Sequence, residues 1–273
     1  KPLFHYLPAS STFSVAVAGC NFTCLNCQNW EISRHGPEDV MNTVLFPAEV
    51  VAAARASGCK SIAYTYSEPI TFFEYMYDTA RHAQAHGIKN LLISNGYIHE
   101  KPLRDLCVML DAANIDLKSF SQATYAKLTG GSLEPVLETL KILKESGVWL
   151  EITNLIVPEW TDDLGVIRKM CDWLVDNGFA DNPLHFSRFH PLYKLSGLHS
   201  TPPGVLEMAR NIAIDSGIRY VYIGNVRGTA AESTYCPVCE NVVVERHGFT
   251  VQAVNLRDGR CNHCHTSIAG VWQ

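Results

Sequence analysis

No apolar run in the sequence approaches the roughly 20 residues that a helix needs to cross a bilayer. A soluble, cytoplasmic protein with no membrane role is therefore the expectation. Basic residues are in deficit, 22 Lys and Arg against 27 Asp and Glu, giving a net charge of -5. No stripe of Lys or Arg offers a footprint for a phosphate backbone, so nucleic acid is not an expected partner. Internal repeats and low-complexity tracts are absent too, which argues against a solenoid or a disordered linker protein. What remains is a chain of 273 residues, 47% hydrophobic, long enough for one large domain or a large domain plus a small one. It opens at Lys1 with "KPLFHYLP" already approaching a strand, so further residues are expected upstream.

Between Thr12 and Asn225 short β-branched segments alternate with longer helical patterns. "SIAYTYS", "NLLISNG", "ANIDLKS", "VWLEITNLIVP" and "LHFSRFHP" read as strands. "PAEVVAAARASG", "EPVLETLKILKESG" and "PPGVLEMARNIAIDSG" read as helices, with Pro at their starts and Gly at their ends. Six or seven strand–helix repeats predict an α/β fold around a parallel sheet, and periodicity alone admits either a doubly wound sheet or a barrel. The strands end in polar groups that a core would not choose: Glu68, Ser94 and Asn95, Asp116 and Lys118, Asn154, His190, Asn225. One such residue commonly caps the next helix, but a whole ring at the carboxyl rim of a parallel sheet is a ligand site.

Ten cysteines are present, and seven fall into tight groups with metal-ligand rather than disulfide spacing. Cys59, Cys107 and Cys171 stand alone in apolar surroundings and read as buried thiols. In the C-terminal stretch the helical period stops, which sets a boundary between domains at 1–229 and 230–273. There Cys236, Cys239, Cys261 and Cys264 form two C-x2-C knuckles, the donor set of a closed tetrahedral zinc ribbon; a four-cysteine iron site is the rival. His263 and His265 beside the last cysteine read as spectators. His82 and His86, one turn apart, read as a solvated face, and Phe72, Phe73, Tyr75, Met76 and Tyr77 as core packing.

"AGCNFTCLNCQNWEIS" places Cys20, Cys24 and Cys27 in C-x3-C-x2-C spacing with no fourth cysteine nearby. An ordinary [4Fe-4S] cluster takes four cysteines, so three on one loop suggest a cluster with one iron left for a non-protein ligand. Zinc completed by a distant residue such as His35 is the alternative.

These residues resemble the radical S-adenosylmethionine (SAM) superfamily. The resemblance implies a partial (β/α)6-type barrel in which Cys20, Cys24 and Cys27 hold a [4Fe-4S] cluster. Its open iron would chelate SAM, and reductive cleavage would release a 5'-deoxyadenosyl radical that abstracts hydrogen from a substrate. "YTYSEP" stands where the family has a Gly-Gly-Glu-Pro turn, implying that Glu68 accepts from the SAM ammonium. "SNG" implies that Ser94 and Asn95 lie near the methionine carboxylate or the ribose. "DLKS" implies Asp116 and Lys118 beside the cofactor, "ITNLIVPEWTDD" a strand with Asn154 that holds the adenosine, and "RFHP" a place for His190 near the ribose. The position before the third cysteine, aromatic in the family, is Asn26 here, with Trp30 as a substitute.

Together with "HFSRFHPLYK" and the C-terminal knuckles, the loop is similar to the AmmeMemoRadiSam group, relatives of pyruvate formate-lyase activating enzymes. That implies a one-electron reductant such as flavodoxin or ferredoxin, and Memo-like and AMMECR1-like proteins as partners. A metabolite is the expected substrate. A glycyl-radical activase acting on a partner protein is the first alternative, and a non-catalytic zinc-binding interaction module is the second.

Overall fold

The computed structural model describes residues 3–273. Seven parallel strands form one sheet: β1 (Thr12–Val15), β2 (Ser61–Tyr64), β3 (Lys89–Ser94), β4 (Ala112–Asp116), β5 (Trp149–Ile156), β6 (Leu184–Arg188) and β7 (Val221–Gly224). The helices are α1 (Trp30–Ser33), α2 (Pro47–Ala56), α3 (Phe73–Ala85), α4 (Glu100–Cys107), α5 (Gln122–Thr129), α6 (Glu134–Glu145), α7 (Leu164–Asp176) and α8 (Pro203–Ser216). Strand order in space follows strand order in sequence, from β1 to β7. A doubly wound sheet reverses its order midway, whereas right-handed crossovers that always step to the next neighbour put every helix on one face. The sheet is therefore the wall of a partial barrel, one strand longer than the six-unit expectation, with β1 and β7 as its edges.

Strand alternation sorts side chains onto two faces. Ile62, Leu92, Ala113, Leu150, Ile152, Leu184 and Phe186 join the helices in the main core. Their neighbours point inward: Ala63, Leu91 and Ala112 pack against Tyr6 and Leu7, so the segment before β1 plugs the barrel floor.

On the other half of the floor the inward residues are polar. The Glu151 carboxylate, 0% exposed, accepts from the Phe4 and His5 amides at 2.9 and 2.7 Å and from Trp149 Nε1 at 3.2 Å, and it lies 2.6 Å from His185 Nε2. Arg246 donates to Thr234 Oγ1 and to the Phe4 carbonyl, at 2.7 and 2.6 Å.

Beneath the barrel lie β8 (Thr234–Tyr235), β9 (Val242–His247) and β10 (Thr250–Val254) in one antiparallel sheet, and β11 (Leu256–Arg257) with β12 (Arg260–Cys261) in another. Their core joins Cys236, Val243, Cys261 and Ile268 to Tyr220 and Tyr222 at β7. Among the described residues no helix is long and apolar enough to cross a membrane.

Candidate active site

At the opposite end, the carboxyl ends of the strands and the loop between β1 and α1 enclose a cleft of about 200 Å3. It gathers Cys20, Cys24 and Cys27 with Glu68, Ser94 and Asn95. Asp116 and Lys118 from the end of β4 line it as well, and Thr153, Ser187 and Asn225 form its far side.

The cysteine loop has little regular structure of its own and is held by neighbours. The Thr23 and Leu25 amides donate to the Thr129 and Leu128 carbonyls, at 2.7 and 2.9 Å. These carbonyls are the free acceptors that the last turn of a helix always leaves. On the other side Asn95 Nδ2 donates to Asn21 Oδ1 at 2.7 Å, and Asn21 Nδ2 donates to the Tyr97 carbonyl at 3.1 Å. Arg34 Nη2 donates to the Phe22 carbonyl. The approach to α5 needs Gly130 and Gly131: a Cβ at Gly130 would meet Thr23 Oγ1 at 2.5 Å, and one at Gly131 would meet the Phe22 ring at 2.4 Å.

Burial pushes the Cys20 thiol up to about 11 and raises Cys24 as well. Thiols so placed become thiolates when a metal centre supplies the compensating charge. Glu68, 2% exposed, accepts from Ser94 Oγ at 2.7 Å and from the amides of Asn95 and Ile70 at 2.8 and 3.1 Å. Burial still raises it to about 7, with those bonds pulling the other way. Lys118 Nζ sits 3.1 Å from Asp116 Oδ2. Burial disfavours its charge, but Asp116 and Cys24 outweigh that and hold it a cation.

The family model described as the radical SAM superfamily matches residues 15–170, more than half of the chain. The chain belongs to the radical SAM superfamily. It is 46% identical over 270 residues to an uncharacterized protein of Methanocaldococcus jannaschii, covering 98% of this chain and 80% of that one. It is 25% identical over 222 residues to the pyruvate formate-lyase 1-activating enzyme of Escherichia coli K12, covering 75% and 89%. Among solved structures, Streptococcus suis SuiB bound to S-adenosylmethionine superposes with a TM-score of 0.61 at 10% identity, over 84% of this chain and 54% of that one. A domain of the pyruvate-formate lyase-activating enzyme from Bacteroides vulgatus gives 0.52 at 15% identity, over 60% and 99%. These two likenesses are of fold.

As a radical SAM protein the chain is a SAM-dependent radical enzyme, and a [4Fe-4S] cluster and SAM are its family's cofactors. The donors in the cleft fit both in kind: three thiols for iron, carboxylates and an ammonium for a zwitterion, and a buried Asn26 Oδ1 with no partner. The ribbon offers a second metal site. Cys236, Cys239, Cys261 and Cys264 bring their sulfurs within 4.8 Å of one another, with Cys236 and Cys264 at 3.5 Å and Cys239 and Cys261 at 3.7 Å. Tetrahedral zinc with Zn–S bonds near 2.3 Å needs sulfurs about 3.8 Å apart, so the site fits zinc. Hydrogen bonds with Asn241 and Thr266 lower the Cys239 and Cys264 thiols, whereas burial pushes Cys236 up to about 11.

Two residues of the expected ring lie elsewhere. Asn154 is buried behind the cleft wall and donates to the Leu117 carbonyl at 2.7 Å, and His190 is exposed, 3.4 Å from Ser200 Oγ. Trp30 stacks on Tyr193, with ring centroids 5.4 Å apart and planes 11° from parallel, and is not part of the cleft lining. His82 and His86 are exposed, and Cys107 and Cys171 are buried. Sequence reasoning missed α5, the helix on which the cysteine loop docks. Its signal was "SQATYAKLTGG": Ser121 Oγ caps the Thr124 amide and Gly130 ends the helix at φ +79°.

Proposed function

We propose that Cys20, Cys24 and Cys27 hold a [4Fe-4S] cluster whose open iron takes SAM, and that the enzyme abstracts hydrogen from a small polar metabolite. The observation that carries this is the gathering of the three-cysteine loop with Glu68, Ser94, Asn95, Asp116 and Lys118 around one cleft. Bound there, cluster and SAM supply the carbon radical. The protein's own tasks are to bind, orient and shield. Glu68 accepts from the SAM ammonium, Lys118 answers the carboxylate, and Asp116 holds Lys118 in place.

Thr153, Ser187 and Asn225 give the far side hydroxyl and amide groups without charge, which supports a neutral, hydroxylated or amide-bearing substrate. The electron comes from a flavodoxin or ferredoxin. Residues 230–273 form the ribbon domain, with a structural metal. The AmmeMemoRadiSam assignment, with Memo-like and AMMECR1-like partners, rests on the likeness of the sequence motifs.

A second substrate class has support from a different side. The similarity to the Escherichia coli activating enzyme spans 75% of the chain and favours a glycyl-radical activase that works on a partner protein. A glycyl radical signal in a co-incubated partner separates the two.

The test of the shared core is anaerobic: reconstitute with iron and sulfide, reduce, add SAM, and measure 5'-deoxyadenosine and methionine. The expected result is cleavage by the wild type and none by Cys24→Ala. Full cleavage by Cys24→Ala sinks the assignment.

A further inference from the structure

The end of α5 grips the cysteine loop on either side of Cys24, through the Thr23 amide on the Thr129 carbonyl and the Leu25 amide on the Leu128 carbonyl. Leu128 lines the cleft, and residues three apart share a helix face, so Tyr125 lies on the side of α5 that faces the loop. Its ring meets the Phe22 ring edge-on, with centroids 6.1 Å apart, and the residue is 0% exposed. The Tyr125 hydroxyl is buried with no hydrogen-bond partner of good geometry. The Lys118 amide approaches its oxygen, a contact that uses the acceptor and leaves the hydrogen free. Burial keeps the phenol protonated at neutral pH, so the group is a donor that lacks an acceptor. Buried polar groups are nearly always paired, and an orphan at a ligand site marks a contact that the ligand completes.

The acceptors around it are taken. The Leu128 and Thr129 carbonyls serve the loop amides, the Phe22 carbonyl serves Arg34, and Asp116 holds Lys118. The Cys20 sulfur takes the Phe22 amide at 3.4 Å. The Cys24 sulfur differs, since burial and charge act on it without a hydrogen bond, and its charge acts in turn on the Tyr125 hydroxyl. A neutral thiol is a weak acceptor, whereas the charge of a thiolate makes it a strong one.

We propose that Tyr125 donates a hydrogen bond to the Cys24 thiolate when the iron-sulfur cluster is in place, and that this bond sets the cluster's reduction potential. Hydrogen bonds to the sulfurs are among the levers that fix such potentials. Reduction adds a negative charge to the cluster, and a donor on a ligand sulfur stabilises the more negative state. Tyr125 therefore raises the potential and eases entry of the electron. The carboxyl end of α5, whose partial negative charge faces the same loop, acts in the opposite sense. The inference rests on the reading of Cys20, Cys24 and Cys27 as cluster ligands.

The experiment is an anaerobic dithionite titration of the iron-loaded full chain without SAM, with the reduced cluster followed by EPR. At the wild-type midpoint, Tyr125→Phe is expected to show a ratio of reduced to oxidised cluster about threefold to tenfold lower, a midpoint shifted down by about 30 to 60 mV for one electron. Iron content should match the wild type, because the Phe ring keeps the packing on Phe22. A purely structural role would instead lower iron content and leave the potential of the remaining clusters where it was. A second measurement needs no variant: wild type grown with 3-fluorotyrosine carries a more acidic phenol, a stronger donor, and its midpoint should move up. That rise should vanish in Tyr125→Phe. An unchanged midpoint in iron-loaded Tyr125→Phe, or in the fluorotyrosine protein, overturns the inference and leaves the cluster standing. Wild type that takes up no iron overturns the cluster reading itself. The fluorotyrosine comparison decides the matter even if Tyr125→Phe does not load.

Discussion

The Thr23 amide donates to the Thr129 carbonyl at 2.7 Å, and through that bond the cysteine loop leans on a helix end about a hundred residues further along the chain. Gly130, next to Thr129, sits at φ +79° with no room for a Cβ beside Thr23. Gly130→Ala therefore meets two costs: about 1 to 2 kcal/mol for a non-glycine residue in left-handed backbone, and displacement of Thr23. The expected outcome is a melting temperature lower by a few degrees and a larger relative fall in iron bound after reconstitution. Loss of stability with full iron loading would show that the loop does not depend on α5.

Glu68 and Glu151 are both fully buried carboxyl groups, and they answer pH in opposite directions. For Glu68, burial raises the folded-state value to about 7 against 4.5. Its stabilising contribution is complete below about pH 4.5 and is lost as pH rises toward 7, where the buried group must ionise. The ionised form is the one that accepts from an ammonium. SAM affinity is therefore expected to climb between pH 6 and 7, by up to about tenfold per unit, and to level off above. Titration calorimetry on the iron-loaded protein checks this, and Glu68→Gln should bind weakly and without that rise. Identical profiles for wild type and variant would remove Glu68 from the ammonium site.

Glu151 is equally deep, and burial alone would raise it, but the hydrogen bond and charge of His185, with His5 beside them, bring it below its ordinary value. Its contribution is present above about pH 4.5 and fades as pH falls through the lowered value. Glu151→Leu leaves the Phe4 and His5 amides and His185 without their acceptor, at a cost of about 3 to 5 kcal/mol. Thermal melts between pH 3.5 and 7 should show acid-dependent loss in the wild type, and in the variant a lower but flatter profile. A variant as stable as wild type at pH 7 would mean that the floor repacks without it.

The parallel sheet was legible because its strands are apolar runs and its helices carry Pro and Gly at their ends, as at Pro47 and Gly58 or Pro203 and Gly217. Its closure was not, because periodicity says nothing about strand order. The cleft was legible at Cys20, Cys24, Cys27 and Glu68, where residue types are too costly for a core. Asn154 and His190 sit at strand ends by the same logic but turn away: Asn154 bridges to the Leu117 carbonyl, and His190 lies past the end of β6 in solvent. The barrel floor left no local trace, since His5, Glu151, His185 and Arg246 meet only through the tertiary fold.

The ribbon's metal should govern that floor. Val271 of the C-terminal tail donates its amide to the His5 carbonyl at 2.7 Å and accepts from the Leu7 amide at 2.7 Å, so the tail of the ribbon holds the segment that plugs the barrel. Cys236 and Cys261 are 0% exposed within a small shared core, and a core of that size depends on its metal for stability. The double variant Cys261→Ser, Cys264→Ser should lose zinc from about one per chain to none, melt several degrees lower, and become open to proteolysis near Tyr6 and within 236–264. Iron at the opposite end of the barrel should stay near wild-type content, since the cysteine loop is held by α5 and Asn95. Zinc loss with unchanged melting and unchanged protection of the N-terminal segment would mean that packing of Tyr220 and Tyr222 alone keeps the ribbon in place. Parallel loss of iron and zinc would instead mean that the two ends of the barrel fold as one unit.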